Sequence, residues 1–174
     1  ELLAYQSITI QVHDNPDADA SASGYALYQY FKKKGKKVAL IYSGRYRIQK
    51  TNLKMMIEKL SIPIVYREMQ EGKISGLLLT VDCQYGAGNV YQFAADYIAV
   101  IDHHPVLDGE KKDNYYIEEA SSTACMIAMD NEEYLNKHDI ELACLATFVD
   151  TASFHSTKTR KSDISWINEM CTKY

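Results

Sequence analysis

The sequence predicts an α/β domain: a doubly wound, mostly parallel sheet with helices on both faces. Two observations carry this. Strand-like and helix-like segments alternate along the chain. Two of the strand segments, Gly76–Asp82 (GLLLTVD) and Tyr97–Asp102 (YIAVID), are unbroken apolar runs of the kind covered on both sides.

The elements follow in order. Ser7–Val12 (SITIQV) carries β-branched residues and reads as the first strand. Ser23–Lys34 places Tyr25, Ala26, Leu27, Tyr30 and Phe31 at helical spacing, and Gly35 stops the helix. Lys37–Tyr42 (KVALIY) is a second strand, ended by Ser43-Gly44. Asn52–Leu60 is helical through Leu53, Met56, Ile57 and Leu60. In Ile62–Tyr66, Pro63 confines a strand to an edge or to its own start. Val90–Ala95 reads as a short helix between the two apolar strands, and Tyr115–Ile117 as a short strand. Ser121–Asn131, His138–Asp150 and Ser162–Cys171 complete the helices.

The chain has 174 residues, a one-domain length. At that size about 70% of the extended surface can be buried, so folding needs neither disulfide nor metal. The composition, 47% hydrophobic and 24% charged, excludes intrinsic disorder, and only 8 Gly and 3 Pro exclude a collagenous chain. No apolar run approaches the roughly 20 residues of a membrane span. A net charge of −4 excludes a polycationic nucleic-acid coat. The four cysteines form no C-x-x-C pair, against both a zinc-thiolate site and a secreted disulfide scaffold. With no signal-peptide pattern, the expected compartment is the cytoplasm. Residues 1–155 read as one domain. The polar stretch Ser156–Asp163 opens a terminal linker and helix, 156–174, leading toward something further.

The chemistry lies where the strands end. The first strand runs into His13-Asp14-Asn15-Pro16-Asp17-Ala18-Asp19, the second apolar run ends in Asp102-His103-His104, and the other ends at Asp82. In a parallel sheet these carboxyl ends share one edge, the ligand-binding edge of open α/β folds. One Asp after a strand is ordinary helix capping. Several acids crowded together without a counter-charge would take up protons or cost several kcal/mol each. No Lys or Arg occurs in Val12–Ala22 or Val81–Val90 to neutralise them. Cations are the natural solution, and oxygen donors with a minority of imidazole favour manganese or magnesium. Four or more carboxylates suffice for two ions about 4 Å apart, an arrangement suited to phosphoryl chemistry.

His13-x-x-Pro16-Asp17-x-Asp19-Ala20, Asp82, Asp102-His103-His104 and Asp150-Thr151-x-x-Phe154 occur in the order seen in the DHH family of phosphoesterases, which this sequence resembles. The Ser121-Ser122-Thr123-Ala124 turn also resembles a segment of that family. The resemblance implies two manganese ions, with Mg²⁺ or Co²⁺ as substitutes. His13, Asp17 and Asp82 would hold one ion. Asp19, Asp82, His103 and Asp150 would hold the other, and Asp82 would be the bridge. His104 would face the substrate phosphate, while Asp102 would orient a histidine; which of His103 and His104 touches metal stays open. Two departures stand out. Ala152 replaces a common Gly, and the glycine- and histidine-rich motif of a second domain is missing from this sequence. A further C-terminal substrate domain is therefore expected, and a homodimer is possible.

Arg45 and Arg47 follow the second strand on the same rim and could grip a substrate phosphate. Ser156-Thr157-Lys158-Thr159-Arg160 could do so too, or begin a linker, and the linker is favoured. The expected function is manganese-dependent hydrolysis of a phosphoester in a small nucleotide or short oligonucleotide: pAp, nanoRNA or a cyclic dinucleotide. A hydroxide activated on the ion pair would attack phosphorus in line. Three alternatives stand beside it: a family II-like inorganic pyrophosphatase, a non-catalytic nucleotide- or metal-binding module, and a phosphoacceptor receiver domain. The last gives no reason for His13 or for the His103-His104 pair.

Overall fold

In the computed structural model, residues 1–106 and 112–174 are described. The elements run β1 (Ser7–Gln11), α1 (Ala18–Lys33), β2 (Lys37–Tyr42), α2 (Thr51–Lys59), β3 (Ile64–Tyr66), β4 (Ile74–Val81), β5 (Ala95–Asp102), β6 (Tyr115–Ile117), α3 (Thr123–Asn131), α4 (Lys137–Asp150) and α5 (Lys161–Lys173). The six strands form one sheet in the order β3-β2-β1-β4-β5-β6, and every pairing is parallel. The chain winds outward from β1 through β2 to β3, then returns to place β4 against β1 and winds the other way. The carboxyl ends of β1 and β4 therefore flank the reversal of winding, where an open α/β sheet leaves a crevice.

Alternation along the strands sorts two apolar clusters. Ile8, Ile10, Leu40, Leu77, Leu79, Ala99 and Ile101 face the larger one, which takes its helical side chains from α1, α3, α4 and α5. Ile41, Leu78 and Phe93 form the smaller one on the opposite face, with Tyr85 and Tyr91 packed against it. A helix expected at Val90–Ala95 is absent there: residues 91–94 are irregular and lead into β5. Six residues are too few to nucleate a helix, and Tyr91 and Phe93 cover the sheet instead, their rings 4.7 Å apart. The helix expected at Val90–Ala95 is thus corrected to a loop that packs its rings on the sheet.

Helix α1 begins at Ala18, five residues before the expected Ser23, because Asp17 caps it. Its first turns, Asp19–Gly24, are buried and small. A methyl group on Gly24 would meet Leu40 at 2.8 Å and Val12 at 3.0 Å, so the helix lies tight against the sheet. Residues 156–174 are seated on the domain rather than strung away from it: Trp166, Ile167 and Met170 of α5 are buried in the larger cluster. No described helix is long and apolar enough to cross a membrane.

Candidate metal centre

Three chain segments reach the crevice. Beyond β1, Val12 donates to the Ile41 carbonyl at 3.1 Å, and Asp14 is fastened by its amide to Asn89 and by its carboxylate to the Tyr91 amide. The loop between them turns His13 inward. Asp17 accepts the Ala20 amide at 3.0 Å with Oδ1, closing the first turn of α1. Its Oδ2 lies 3.7 Å from His13 Nε2.

At the end of β4, Asp82 adopts φ +60°, a left-handed conformation that costs a non-glycine residue about 1–2 kcal/mol. The turn splits its two oxygens. Oδ2 lies 3.9 Å from His13 Nε2, and Oδ1 lies 3.7 Å from His103 Nε2. Thr123, in the first turn of α3, donates its hydroxyl to Oδ1 at 2.8 Å.

Asp19 sits under the start of α3, where its oxygens accept the Thr123 amide at 2.9 Å and the Ala124 amide at 2.8 Å. His103 donates Nδ1–H to the Ala120 carbonyl at 3.0 Å, leaving Nε2 bare and 3.8 Å from Asp19. His104 donates Nδ1–H to Asp102 at 2.8 Å, and Gln84 bonds the other oxygen of Asp102 at 3.0 Å. The start of α3 is itself tied to α5: Asp163 accepts the Ser121 amide at 2.7 Å, and the Arg160 amide donates to the Ser121 hydroxyl at 2.8 Å.

These placements gather the donors into three groups, each with its atoms within 4.8 Å of one another: His13–Asp17–Asp82, Asp19–His103–Asp150 and Asp82–His103–His104. Burial drives the charges apart. Desolvation, with Asp19 and Asp17 adding repulsion, pushes the Asp82 carboxyl well above the usual carboxylate range. Desolvation raises Asp19 as well, against the pull of His103. Asp17 goes the other way: burial opposes ionisation, but the neighbouring His13 imidazole and the Ala20 amide hydrogen bond bring it down to about 2. Acids this crowded and this dry fit divalent cations, which would supply the charge that desolvation withholds.

Seven of the residues singled out by sequence thus meet: His13, Asp17, Asp19, Asp82, His103, His104 and Asp150. Asp102 stands behind His104, outside the three groups. Arg47 is turned to Glu68 at 3.0 Å and stacked over Tyr66, and Arg45 lies over Tyr46. Neither lines the 420 Å³ cleft that opens beside the centre. His103, His104, Glu119 and residues 157–160 are among the residues that do. The segment expected to begin a linker therefore forms a wall of that cleft, and Lys158 hydrogen-bonds Asp150. Spacing alone also misses Thr123 and Gln84. The Ser121-Ser122-Thr123 cap was a visible signal for the first; the second has none.

The family model described as DHH family, N-terminal domain, matches residues 7–149. Among solved structures, an exopolyphosphatase-related protein from Bacteroides fragilis superposes with a TM-score of 0.65 at 17% identity, covering 99% of this chain and 54% of that one. A Methanococcus jannaschii protein, provisionally assigned as a family II inorganic pyrophosphatase, superposes with a TM-score of 0.65 at 21% identity, covering 95% and 55%. The chain spans about half the length of these structures, and at such identities the likeness is one of fold. No curated protein matches the sequence.

Proposed function

The chain belongs to the DHH family, N-terminal domain, and from that premise we propose that it is the metal-binding half of a hydrolase that cleaves phosphoester or phosphoanhydride bonds with two divalent ions. The observation that carries the reading is the split carboxylate of Asp82, whose two oxygens face different histidines. His13, Asp17 and Asp82 would hold one ion; Asp19, Asp82, His103 and Asp150 would hold the other. Their mix of oxygen donors and imidazole suits manganese, with magnesium or cobalt as substitutes. When bound, the pair supplies Lewis-acid polarisation of the phosphoryl oxygens and activates a water for in-line attack.

The chain's own residues do the rest. The Ala120 carbonyl fixes the His103 tautomer so that Nε2 points at the acids. Asp102 holds His104 in the opposite role: its hydrogen bond raises the imidazole pKa, so Nε2 can carry a proton to a leaving oxygen. Gln84 bonds Asp102 and the Pro105 carbonyl, pinning the turn that carries both histidines. Half of the His104 side chain is exposed, and it lines the cleft where a substrate would enter.

Small nucleotides or short oligonucleotides are the first substrate reading: pAp, nanoRNA or cyclic dinucleotides. Inorganic pyrophosphate or a related phosphoanhydride is the second. It is favoured by the cleft lining, which offers imidazole, ammonium and guanidinium groups but, among the described residues, no phenyl, phenol or indole ring to stack a base. Base recognition would then fall to a further domain, or to a second copy in a homodimer. A manganese-dependent hydrolysis panel of pAp, short RNA, cyclic dinucleotides and pyrophosphate on the full-length protein tests the reading. Turnover of one class that disappears on chelation is the expected result. Equal activity in Asp82→Ala would overturn it.

A further inference from the structure

We propose that Lys158 acts twice at this site: it neutralises Asp150 while the Asp19–His103–Asp150 group lacks an ion, then turns into the cleft to bind a substrate phosphate once an ion claims Asp150. The inference rests on the two-ion reading and adds a specificity residue to it.

Lys158 Nζ hydrogen-bonds Asp150 Oδ2. The same Asp150 carboxylate belongs to the Asp19–His103–Asp150 group, so the ammonium sits on a carboxylate that an ion would need. Two cations on one carboxylate repel each other, and the more weakly held one gives way. Its flexible four-carbon stem lets the ammonium swing while its backbone stays in place. The destination is already formed, because Lys158 lines the 420 Å³ cleft opposite His103 and His104. His104 lines the same cleft with about half of its side chain exposed. An anion there would be within reach of both side chains.

One neighbour strengthens the case for an anion. Arg160 and Glu119 line the same cleft and are paired with each other, so together they add no net charge to it. The Thr159 hydroxyl, buried on that wall, has no hydrogen-bond partner among the described residues. A phosphate offers several acceptor oxygens and can take bonds from a hydroxyl and an ammonium together. An ordinary surface ion pair would explain the Lys158–Asp150 bond but not the unpartnered hydroxyl beside it.

The order of events follows: ion first, phosphate second. Calorimetric titration of Mn²⁺, and then of methylenediphosphonate as a non-hydrolysable diphosphate, into the full-length protein and its Lys158→Met variant tests it. Removing the competitor should tighten the weaker Mn²⁺ event about three- to tenfold. Losing the charge-assisted bond should weaken the diphosphonate about tenfold or more. Lys158→Arg, which keeps the charge, should recover most of the diphosphonate affinity. Lys158 is about one-third exposed, so neither variant opens the core. Two Mn²⁺ ions and an unaltered diphosphonate affinity in Lys158→Met would overturn this proposal alone. Wild-type protein that takes up no Mn²⁺ would remove the two-ion reading and this inference with it.

Discussion

The centre has an outer and an inner half that share Asp82 and differ in almost everything else. The outer half, His13 and Asp17, is partly open to solvent: the side chain of Asp17 is 44% exposed, and its one backbone partner is its own helix. The inner half is dry and externally braced. His103 and Asp19 are 3% and 1% exposed, and their partners come from α3 and the loop leading to it. A carboxylate fixed by two amides has lost its rotational freedom before any ion arrives, so the inner half is preorganised and the outer half adjusts. The same contrast appears in the pKa directions, raised for Asp19 and lowered to about 2 for Asp17.

The largest effect should come from the shared residue. Asp82→Ala should abolish tight uptake of both ions and cut turnover roughly a thousandfold or more, since each half loses a donor. A variant that still bound one ion tightly would show the halves to be independent. Next, Asp19→Ala strands the Thr123 and Ala124 amides and should destabilise the ion-free protein by about 1–3 kcal/mol. Asp17→Ala removes only a cap, at about 1 kcal/mol. Denaturant melts of the two variants side by side check the ranking, and a larger loss in Asp17→Ala would invert the comparison.

The pH response should divide along the same line. Asp19 and Asp82 have raised folded-state pKa values, so the ion-free fold loses stability as pH rises from the unfolded carboxyl value through theirs. Asp17 contributes stability above its unfolded value that is lost as pH falls toward about 2. An ion must displace the protons that the buried acids retain, so the rise in Tm on adding Mn²⁺ should be greater at pH 8 than at pH 6. Thermal melts at both values read this directly, and a rise independent of pH would contradict it. The smallest effect concerns Ala152, the first of three successive left-handed residues after α4. Ala152→Gly should stabilise by about 1 kcal/mol, or about 2–4 °C in Tm for a chain of this size.

What the sequence disclosed and what it hid also divide by physics. The strand ends were legible because uninterrupted apolar runs stop abruptly at Asp82 and Asp102, and the parallel sheet places those ends together. The two-residue spacing of Asp17 and Asp19 was legible too, though not that one would cap α1 and the other sit beneath α3. Asp150 lay beyond reach of spacing arguments, because it reaches the centre from the end of α4, a helix in another layer. It entered through resemblance alone. Thr123 and Lys158 had local signals, the Ser121-Ser122-Thr123 cap and the Ser156–Arg160 run, but the acids they meet are set by tertiary packing, which those signals do not show. The start of α1 was misread because Ala18, Ala20 and Ala22 carry no amphipathic signal; their smallness serves close approach to the sheet. Val90–Ala95 was misread because the apolar content of a loop that plugs a sheet face resembles that of a short helix.

The fastening of Ser121 to Asp163 and Arg160 makes α5 a strut against the ion-binding floor. Ser121 is two residues from the amide and hydroxyl of Thr123 that grip Asp19 and Asp82. Strain on α5 is therefore relayed to both buried acids through a handful of bonds. Whatever leans on that helix would retune how firmly the floor holds its ions.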